Sequence, residues 1–297
     1  MHKAGFVNIV GLPNVGKSTL MNALVGERLS IISPKAQTTR HRIIGIVNDP
    51  AYQIVFSDTP GYVNQPAYAL HRSMNTYVHQ SFEDADVVFL ITDKYQKPEE
   101  QAFLISQLSK TKAATVVVFN KLDLCKEGEL EQWQINWKQE LPMANFIPIS
   151  AKDGTNVEKL IEYVVRNIPE SEAYYDKDTL TDRHIRYFVS EIVREKIFTN
   201  YQKEIPYSCQ VVCEDYKEDP DMDRIRCTIF VERESQKSIV VGKGGSSLNK
   251  VGTEARLDIE EFVGRKVFLG LYVKVKANWR NSDQTLRSFG YDSSTSE

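Results

Sequence analysis

Residues 11–18 read Gly-Leu-Pro-Asn-Val-Gly-Lys-Ser and fit the pattern G-x-x-x-x-G-K-[ST]. The apolar run 6–10 precedes this motif, and the helix-forming run 19–24 follows it. Glycines are needed because the backbone must curl until its N–H groups point at phosphate oxygens, beside the positive end of the following helix. The motif therefore predicts a strand, a phosphate-binding loop and a helix, which confines the first half of the chain to a nucleotide-binding α/β fold.

Two side chains of this loop have roles of their own. Lys17 would reach the β and γ phosphates as a mobile charge, and the Ser18 hydroxyl would ligate Mg²⁺. A plain glycine-rich turn is a poor alternative, because a chance match at this composition is on the order of 0.5%. We expect the nucleotide to contact Gly11, Asn14, Val15, Gly16, Lys17, Ser18 and Thr19.

Asp58-Thr59-Pro60-Gly61 follows the strand candidate 53–56. In this position Asp58 would hold Mg²⁺ through water, and the Gly61 N–H would bond to the γ phosphate. Taken alone, this stretch is only a turn signal.

Two further stretches identify the base. Asn120-Lys121-Leu122-Asp123 and Ser150-Ala151-Lys152 each follow an apolar run, at the edge where open sheets bind ligands. A buried Asp123 carboxylate needs two donors, which guanine offers side by side and adenine does not. We therefore predict a GTP or GDP site whose base contacts are Asn120, Lys121, Asp123, Ser150, Ala151 and Lys152.

In their order along residues 5–168, GLPNVGKS, TT, DTPG, NKLD and SAK resemble the GTPase domains of the TRAFAC class of P-loop proteins. The resemblance implies that Thr39 closes on Mg²⁺ in the GTP state, with Thr38 as the alternative, and that 29–42 is the first switch. An ordinary polar loop is the other interpretation of that segment. The metal ligands would be Ser18, Thr39 and Asp58, and the catalytic contacts Lys17, Thr39 and Gly61.

Position 62 is Tyr, where Ras-like enzymes place the Gln that orients the attacking water. We therefore expect hydrolysis to be slow without activation. Related GTPases with Asn at the position of Asn14 can hold K⁺, which would supply positive charge. Asn14 is equally well explained as a loop residue that tolerates unusual backbone angles.

Strand candidates alternate with amphipathic stretches up to about residue 168, which predicts an α/β domain over 1–168. The Asp49-Pro50 turn between 43–47 and 53–56 predicts one antiparallel hairpin on an otherwise parallel sheet, and hence a mixed, mostly parallel sheet. Residues 169–182 are polar and acidic, as in a flexible linker. A second domain would span 183–290, with a flexible tail at 291–297.

The second domain has the predicted order helix, strand, strand, glycine turn, helix, strand. Residues 239–247, Ile-Val-Val-Gly-Lys-Gly-Gly-Ser-Ser, resemble the (I/V)-x-G-x-x-G loop of the α+β type II KH domains, which bind RNA. Between residues 237 and 280 there are nine Lys and Arg against four acids, which favours a basic face over a simple helix-starting turn. The predicted RNA contacts are Gly242, Lys243, Gly244, Gly245, Ser246 and Lys250.

The whole chain, including the endings 273–279 and 286–291, resembles the Era family of GTPases. The family implies binding to the 3′ end of small-subunit (16S) ribosomal RNA during subunit assembly. It has also been linked to peripheral association with the inner face of the cell membrane, which no amphipathic membrane helix in this sequence supports. We expect a cytoplasmic monomer.

Other features exclude competing classes of protein. The apolar runs are far shorter than the ~20 residues of a membrane helix, and residues 1–7 lack a signal sequence. The four cysteines and five histidines lack metal-ligand spacing, and we expect the thiols to be reduced. An RNA-modifying enzyme would need a second catalytic set. An RNA-binding adaptor with a merely structural nucleotide domain is the alternative to a GTPase switch, and the complete guanine and phosphate motifs count against it.

Overall fold

A computed structural model describes residues 1–291, so the predicted tail beyond Tyr291 lies outside the described residues. Tyr291 itself is buried, and its hydroxyl donates to Gln210 Oε1 at 2.7 Å. By its internal contacts the chain divides into two units. Unit 1 comprises Met1–Ser30, Thr39–Pro66 and His71–Asp182, and unit 2 comprises Ile31–Thr38, Ala67–Leu70 and the chain from Arg183 onward.

Unit 1 is built on a six-stranded sheet with the order β2-β3-β1-β4-β5-β6. Its elements are β1 (Lys3–Val10), α1 (Lys17–Val25), β2 (Ile43–Asn48), β3 (Tyr52–Asp58), α2 (Ala69–Gln80), β4 (Val87–Thr92), α3 (Ala102–Leu108), β5 (Ala114–Phe119), α4 (Glu129–Glu140), β6 (Asn145–Pro148) and α5 (Val157–Asn167). The first two residues of α2 belong to unit 2 by their contacts. Strand β2 runs antiparallel to β3, and the other paired strands are parallel. The predicted mixed, mostly parallel sheet is confirmed. Since parallel strands share one carboxyl edge, the loops after β1, β3, β5 and β6 meet there.

Helix α4 is absent from the sequence-based prediction. Only Trp133 and Trp137 of its twelve residues are buried, one turn apart, where both pack against Phe119 of β5. Two aromatic side chains in a polar stretch give a weak periodic signal, although they bury a large apolar area.

Unit 2 contains a three-stranded sheet with the order β7-β8-β9. Its elements are α6 (Ile185–Asn200), α7 (Ile205–Ser208), β7 (Gln210–Lys217), β8 (Asp223–Val231), α8 (Glu234–Val241), α9 (Ser246–Val263), β9 (Val267–Val275) and α10 (Asp283–Ser288). Strands β7 and β8 are antiparallel, and β8 and β9 are parallel. Buried side chains at helical spacing on α6 and α9, such as Val189, Val193, Val251 and Ala255, form one core with the inward residues of the sheet. The predicted α+β architecture is confirmed.

We expected the glycine turn to follow a strand, and the structure has helix α8 there instead. The β-branched run Ile239-Val240-Val241 favours a strand by propensity. Tertiary packing decides otherwise, because Val240 is fully buried while Ile239 is 49% exposed. At the helix start, the Gln236 side chain accepts the N–H of Glu232 at 2.9 Å and the N–H of Arg233 at 3.2 Å. Among residues 1–291, no helix is long and apolar enough to span a bilayer.

Residues 169–182, predicted to be a flexible linker, are hydrogen-bonded to the sheet of unit 1. The buried Gln53 on β3 accepts from the backbone N–H of Tyr174 at 2.7 Å and of Tyr175 at 3.0 Å, and donates to the Tyr175 carbonyl at 2.8 Å. The Leu180 carbonyl accepts from the N–H of Ile46 at 2.8 Å. A polar composition therefore does not imply freedom here, because buried Gln53 supplies the partners that the segment needs.

Replacing Gln53 with Leu should destabilise unit 1 by about 1–3 kcal/mol, because two backbone N–H groups and one carbonyl lose their partner. Urea unfolding followed by circular dichroism would measure the change. The matched control is Gln132→Leu on the exposed face of α4. Equal midpoints for the two variants would contradict this account of the segment.

Candidate functional site

The loop between β1 and α1 is shaped by close backbone approaches. Gly16 has φ 95°, and a Cβ there would lie 2.3 Å from Asn120 Nδ2, so only glycine fits. Lys17 is 6% exposed, and its Nζ donates to the carbonyls of Gly11 at 3.1 Å and Leu12 at 2.8 Å. The ammonium is therefore held inside the curl of the loop, where a phosphate would meet it. Thr19 lies in the first turn of α1.

Three oxygen-bearing side chains meet beside Lys17. Ser18 Oγ donates to Asp58 Oδ2 at 2.7 Å and lies 2.7 Å from Thr39 Oγ1, which is 3.4 Å from the same carboxylate oxygen. Asp58 is fully buried, and its Oδ1 has no hydrogen-bond partner within residues 1–291. Two hydroxyls and a carboxylate are the ligands that Mg²⁺ prefers, so the residues present fit this ion.

Burial shifts both charged groups of this cluster towards their neutral forms. Burial lowers the pKa of Lys17 to about 8, against the opposing effect of Asp58. Burial also raises the pKa of Asp58, although the charge of Lys17 and hydrogen bonds from Ser18 and Thr39 act in the other direction. A phosphate beside Lys17 and a cation beside Asp58 would each restore the charged form.

The structure separates the two threonines that the sequence left as alternatives. Thr39 reaches Ser18 and Asp58, whereas Thr38 Oγ1 donates to the Lys35 carbonyl at 2.7 Å. The geometry therefore favours Thr39 as the metal ligand. Gly61 packs against the loop, since a Cβ there would lie 2.8 Å from the backbone nitrogen of Pro13.

The 120–123 motif is tied to the phosphate loop. Asn120 donates from Nδ2 to the Val15 carbonyl at 2.8 Å and accepts the Ala151 N–H at 3.0 Å. Lys121 donates to the Asn14 carbonyl at 2.7 Å. The Asn120 amide and the Lys121 ammonium thus link three loops, at 11–18, 120–123 and 150–152, which were predicted from separate stretches of sequence.

Asp93 is a site residue that the sequence analysis missed. It is 2% exposed at the end of β4, and its Oδ2 accepts from Lys121 Nζ at 2.6 Å. This contact orients the lysine of the base motif. The available signal was position, because Asp93 follows a strand at the same sheet edge as the other motifs.

Asp123 is exposed, whereas we predicted a buried carboxylate. Its Oδ1 accepts from Ser150 Oγ at 2.8 Å, so the buried Ser150 holds the carboxylate at the rim of the site. The prediction was wrong because a group that a ligand covers need not be covered by the protein itself. Lys152 is also exposed.

In unit 2 the glycine turn separates helices α8 and α9. Gly242 has φ 74°, and a Cβ there would lie 2.3 Å from Ser247 Oγ; Gly244 and Gly245 also have positive φ, at 61° and 81°. Lys243, Gly244, Ser246 and Lys250 are exposed around the turn. The backbone and the N-terminus of α9 are thus open to an approaching phosphate.

A groove of about 320 Å³ runs beside this turn between α9 and β9. Leu248, Gly252 and Arg256 line it on the helix side, and Phe268, Leu269 and Leu271 on the strand side. Phe268 is 56% exposed, so part of this aromatic side chain is available for stacking. Asn249 and Thr253 also line the groove, so it offers both apolar surface and hydrogen-bonding groups. Such a groove beside a basic, glycine-rich turn is suited to unstacked bases of a single strand.

Two family models match the chain. Residues 6–121 match the model described as 50S ribosome-binding GTPase, and residues 204–280 match the model of the KH domain. The first match contains the phosphate loop and Asp58 but ends before Asp123 and Ser150, and the second contains the glycine turn and the groove beside it.

Full-length relatives also match. The chain is 43% identical over 292 residues to GTPase Era of a Geobacter species, covering 98% of each protein. It is 43% identical over 295 residues to a chloroplastic GTPase ERA-like protein of Oryza sativa subsp. japonica, covering 98% of this chain and 70% of that protein.

Two solved structures resemble the chain over nearly its whole length. Era in complex with MgGDPNP and nucleotides 1506–1542 of 16S ribosomal RNA has a TM-score of 0.94 and 37% identity, covering 98% of this chain and 99% of that one. A tyrosine variant of Aquifex aeolicus Era bound to GDP and AlF4⁻ has a TM-score of 0.93 and 37% identity, covering 97% and 99%.

Replacing Asp123 with Asn should lower GTP affinity by about a hundredfold or more and raise affinity for xanthosine triphosphate, because the amide cannot accept both guanine donors. Competition against a fluorescent nucleotide would measure both changes. The matched control is Asp153→Asn, since Asp153 also accepts from Ser150 Oγ, at 3.1 Å. Unchanged GTP selectivity in Asp123→Asn would show that the base binds elsewhere.

Proposed function

The chain belongs to the Era family of GTPases, and we propose that it uses GTP to control its binding to the 3′ end of small-subunit (16S) ribosomal RNA during subunit assembly. One observation carries this proposal: a complete guanine nucleotide site and a KH groove occur on the same chain. We also propose that the protein acts in the cytoplasm, where ribosomal subunits are assembled.

Each part of the nucleotide would have its own protein contacts. The triphosphate lies in the loop 11–18, with Lys17 on its β and γ oxygens, and Asp123 accepts the guanine donors. Ser18, Thr39 and Asp58 would hold Mg²⁺, which neutralises charge that develops on the phosphate oxygens. The unpartnered Asp58 Oδ1 supports this assignment.

Hydrolysis without a partner should be slow, and the reason is visible at position 62. The Tyr62 ring stacks on Phe103, with ring centroids 4.2 Å apart and planes at 12°. A phenol packed in this way offers no amide to orient an attacking water. Lys17, Thr39 and the Gly61 backbone are left as the groups of this chain that act on the γ phosphate.

RNA recognition would combine backbone and base contacts. The turn from Gly242 to Gly245 and the α9 N-terminus would hold phosphates, and Lys243 and Lys250 would add charge. Bases would enter the groove and stack on Phe268. An adaptor with a structural nucleotide domain remains the alternative. It would be supported if the purified protein, given Mg²⁺ and RNA, never hydrolysed GTP.

Replacing Lys243 and Gly244 together with Asp should weaken binding of a 16S 3′-end oligonucleotide by roughly a hundredfold, because phosphates are repelled from the turn. GTP binding should not change. The control pair Gln202→Asp and Lys203→Asp makes the same change in charge at an exposed position of unit 2. Fluorescence anisotropy at fixed salt would measure affinity, and equal binding by both double variants would count against the KH assignment.

Hydrolysis should be about tenfold faster in KCl than in NaCl of equal ionic strength if Asn14 holds K⁺ beside the phosphates. Asn14 is exposed with φ 66°, so its backbone angle alone also accounts for asparagine at this position. Single-turnover rates for the natural chain and Asn14→Ala separate the two interpretations. Equal rates in both salts would remove the K⁺ hypothesis.

A further inference from the structure

The first switch does not belong wholly to the unit that holds the nucleotide site. Residues Ile31–Thr38 belong by their contacts to unit 2, while Ser30 and Thr39 at either end belong to unit 1. Its hydrogen bonds to Glu195, Phe198 and Arg194 all join it to helix α6. Contacts that fix this segment therefore also restrict the position of the next residue, Thr39.

Two contacts fix the beginning and the middle of the segment. The Ile32 N–H donates to Glu195 Oε1 at 3.2 Å. Lys35 Nζ donates to the carbonyls of Phe198 and Tyr201, at the end of α6. Carbonyls in the last turn of a helix lack partners within it and carry its negative dipole, so a lysine there satisfies both needs.

Arg194 holds the last residue of the segment. Its Nη2 donates to the Thr38 carbonyl and to Glu191 Oε2, and its Nε donates to Glu191 Oε1 at 2.7 Å. Both side chains are buried, with Arg194 1% and Glu191 5% exposed. A buried, two-point arginine–carboxylate pair leaves the guanidinium one orientation, so the carbonyl is held by a rigid donor.

This carbonyl has a special position in the chain. It belongs to the peptide bond between Thr38 and Thr39, and a peptide unit is planar, so holding the carbonyl orients the plane that carries the Thr39 nitrogen. The Thr39 hydroxyl lies 2.7 Å from Ser18 Oγ and 3.4 Å from Asp58 Oδ2. Arg194 therefore acts one peptide away from the metal-ligand set.

We propose that Arg194, with Lys35 and Glu195, positions the first switch for GTP hydrolysis by holding the Thr38–Thr39 peptide so that Thr39 stands beside Ser18 and Asp58. Arg194 is a positioning residue and does not touch the substrate. The proposal rests on the GTPase reaction and on Thr39 as a metal ligand, and it holds whichever RNA the protein binds. It makes three charged side chains outside the GTPase motifs part of the machinery that sets the hydrolysis rate.

Holding the first switch in place should favour GTP binding for an entropic reason. A first switch released from α6 would have to be ordered each time Thr39 closes on GTP, and fixing backbone residues opposes binding. GDP lacks the γ phosphate and does not require the closure. Loss of the contacts should therefore weaken binding of a GTP analogue about tenfold and leave GDP binding within about twofold, as for other couplings of this kind.

The test uses the full chain with Arg194→Lys, which keeps the charge but loses the two-point pairing, and with Lys35→Ala, which lies on a partly exposed loop and spares the helix core. Affinities for a non-hydrolysable GTP analogue and for GDP, together with single-turnover hydrolysis rates, would be measured without RNA. We expect both variants to lower the hydrolysis rate about tenfold. The ratio of GTP-analogue to GDP affinity should fall by a similar factor.

The controls lie on the same helix. Arg186 is exposed on α6, and Arg186→Lys makes the same substitution there as Arg194→Lys. Lys196→Ala removes an ion pair with Asp258 at 2.5 Å and does not alter the switch segment. If Arg194 has only a structural role, Arg194→Lys will lower the thermal stability but leave the affinity ratio and the hydrolysis rate within twofold of the natural chain. That result would overturn the proposal. So would equal losses in Lys196→Ala. Since no RNA is present, failure of the rRNA assignment cannot produce either result.

Discussion

A buried carboxylate and a buried ammonium stand side by side at the carboxyl edge of the sheet, and much of this molecule is arranged around them. Asp58 is fully buried with one oxygen unpartnered within residues 1–291, and Lys17 is turned into the loop that precedes it. Burial raises the pKa of Asp58 and lowers the pKa of Lys17, so it favours the neutral form of each group. A metal–triphosphate complex brings charges of both signs, which would favour the charged forms of both groups.

Two short pieces of chain that interrupt unit 1 in sequence belong to unit 2 by their contacts. These pieces are Ile31–Thr38, which directly precedes Thr39, and Ala67–Leu70, which follows the 58–61 motif. In the second piece, the Ala69 N–H donates to Asn281 Oδ1 at 3.2 Å, and the Arg280 guanidinium lies 4.0 Å from the centre of the Tyr68 ring. Unit 2, which contains the match to the KH model, therefore also includes the segment that ends at Thr38, one peptide before the candidate metal ligand Thr39.

The sequence predicted the fold class and brought forward most residues of the candidate nucleotide site, because both depend on local patterns. The loop 11–18 needs particular residues at fixed spacing, and strands such as β4 are continuous apolar runs. Other features depend on distant partners. The segment 169–182 is ordered by Gln53, Asp93 is recognisable only once β4 lies beside β5, and α8 forms against the β-branched preference of its last turn. The pairing of Arg194 with Thr38 joins residues 156 positions apart, which no local pattern reveals.

Crosslinking the full chain to RNA in its GTP-analogue and GDP states, followed by sequencing of the bound RNA, tests the central claim most directly. We predict crosslinks from the 242–245 turn and the α9–β9 groove to the 3′ end of small-subunit ribosomal RNA, enriched in the GTP-analogue state. The same RNA yield in both nucleotide states, or crosslinks without preference for that end, would contradict the account of a nucleotide-controlled RNA switch.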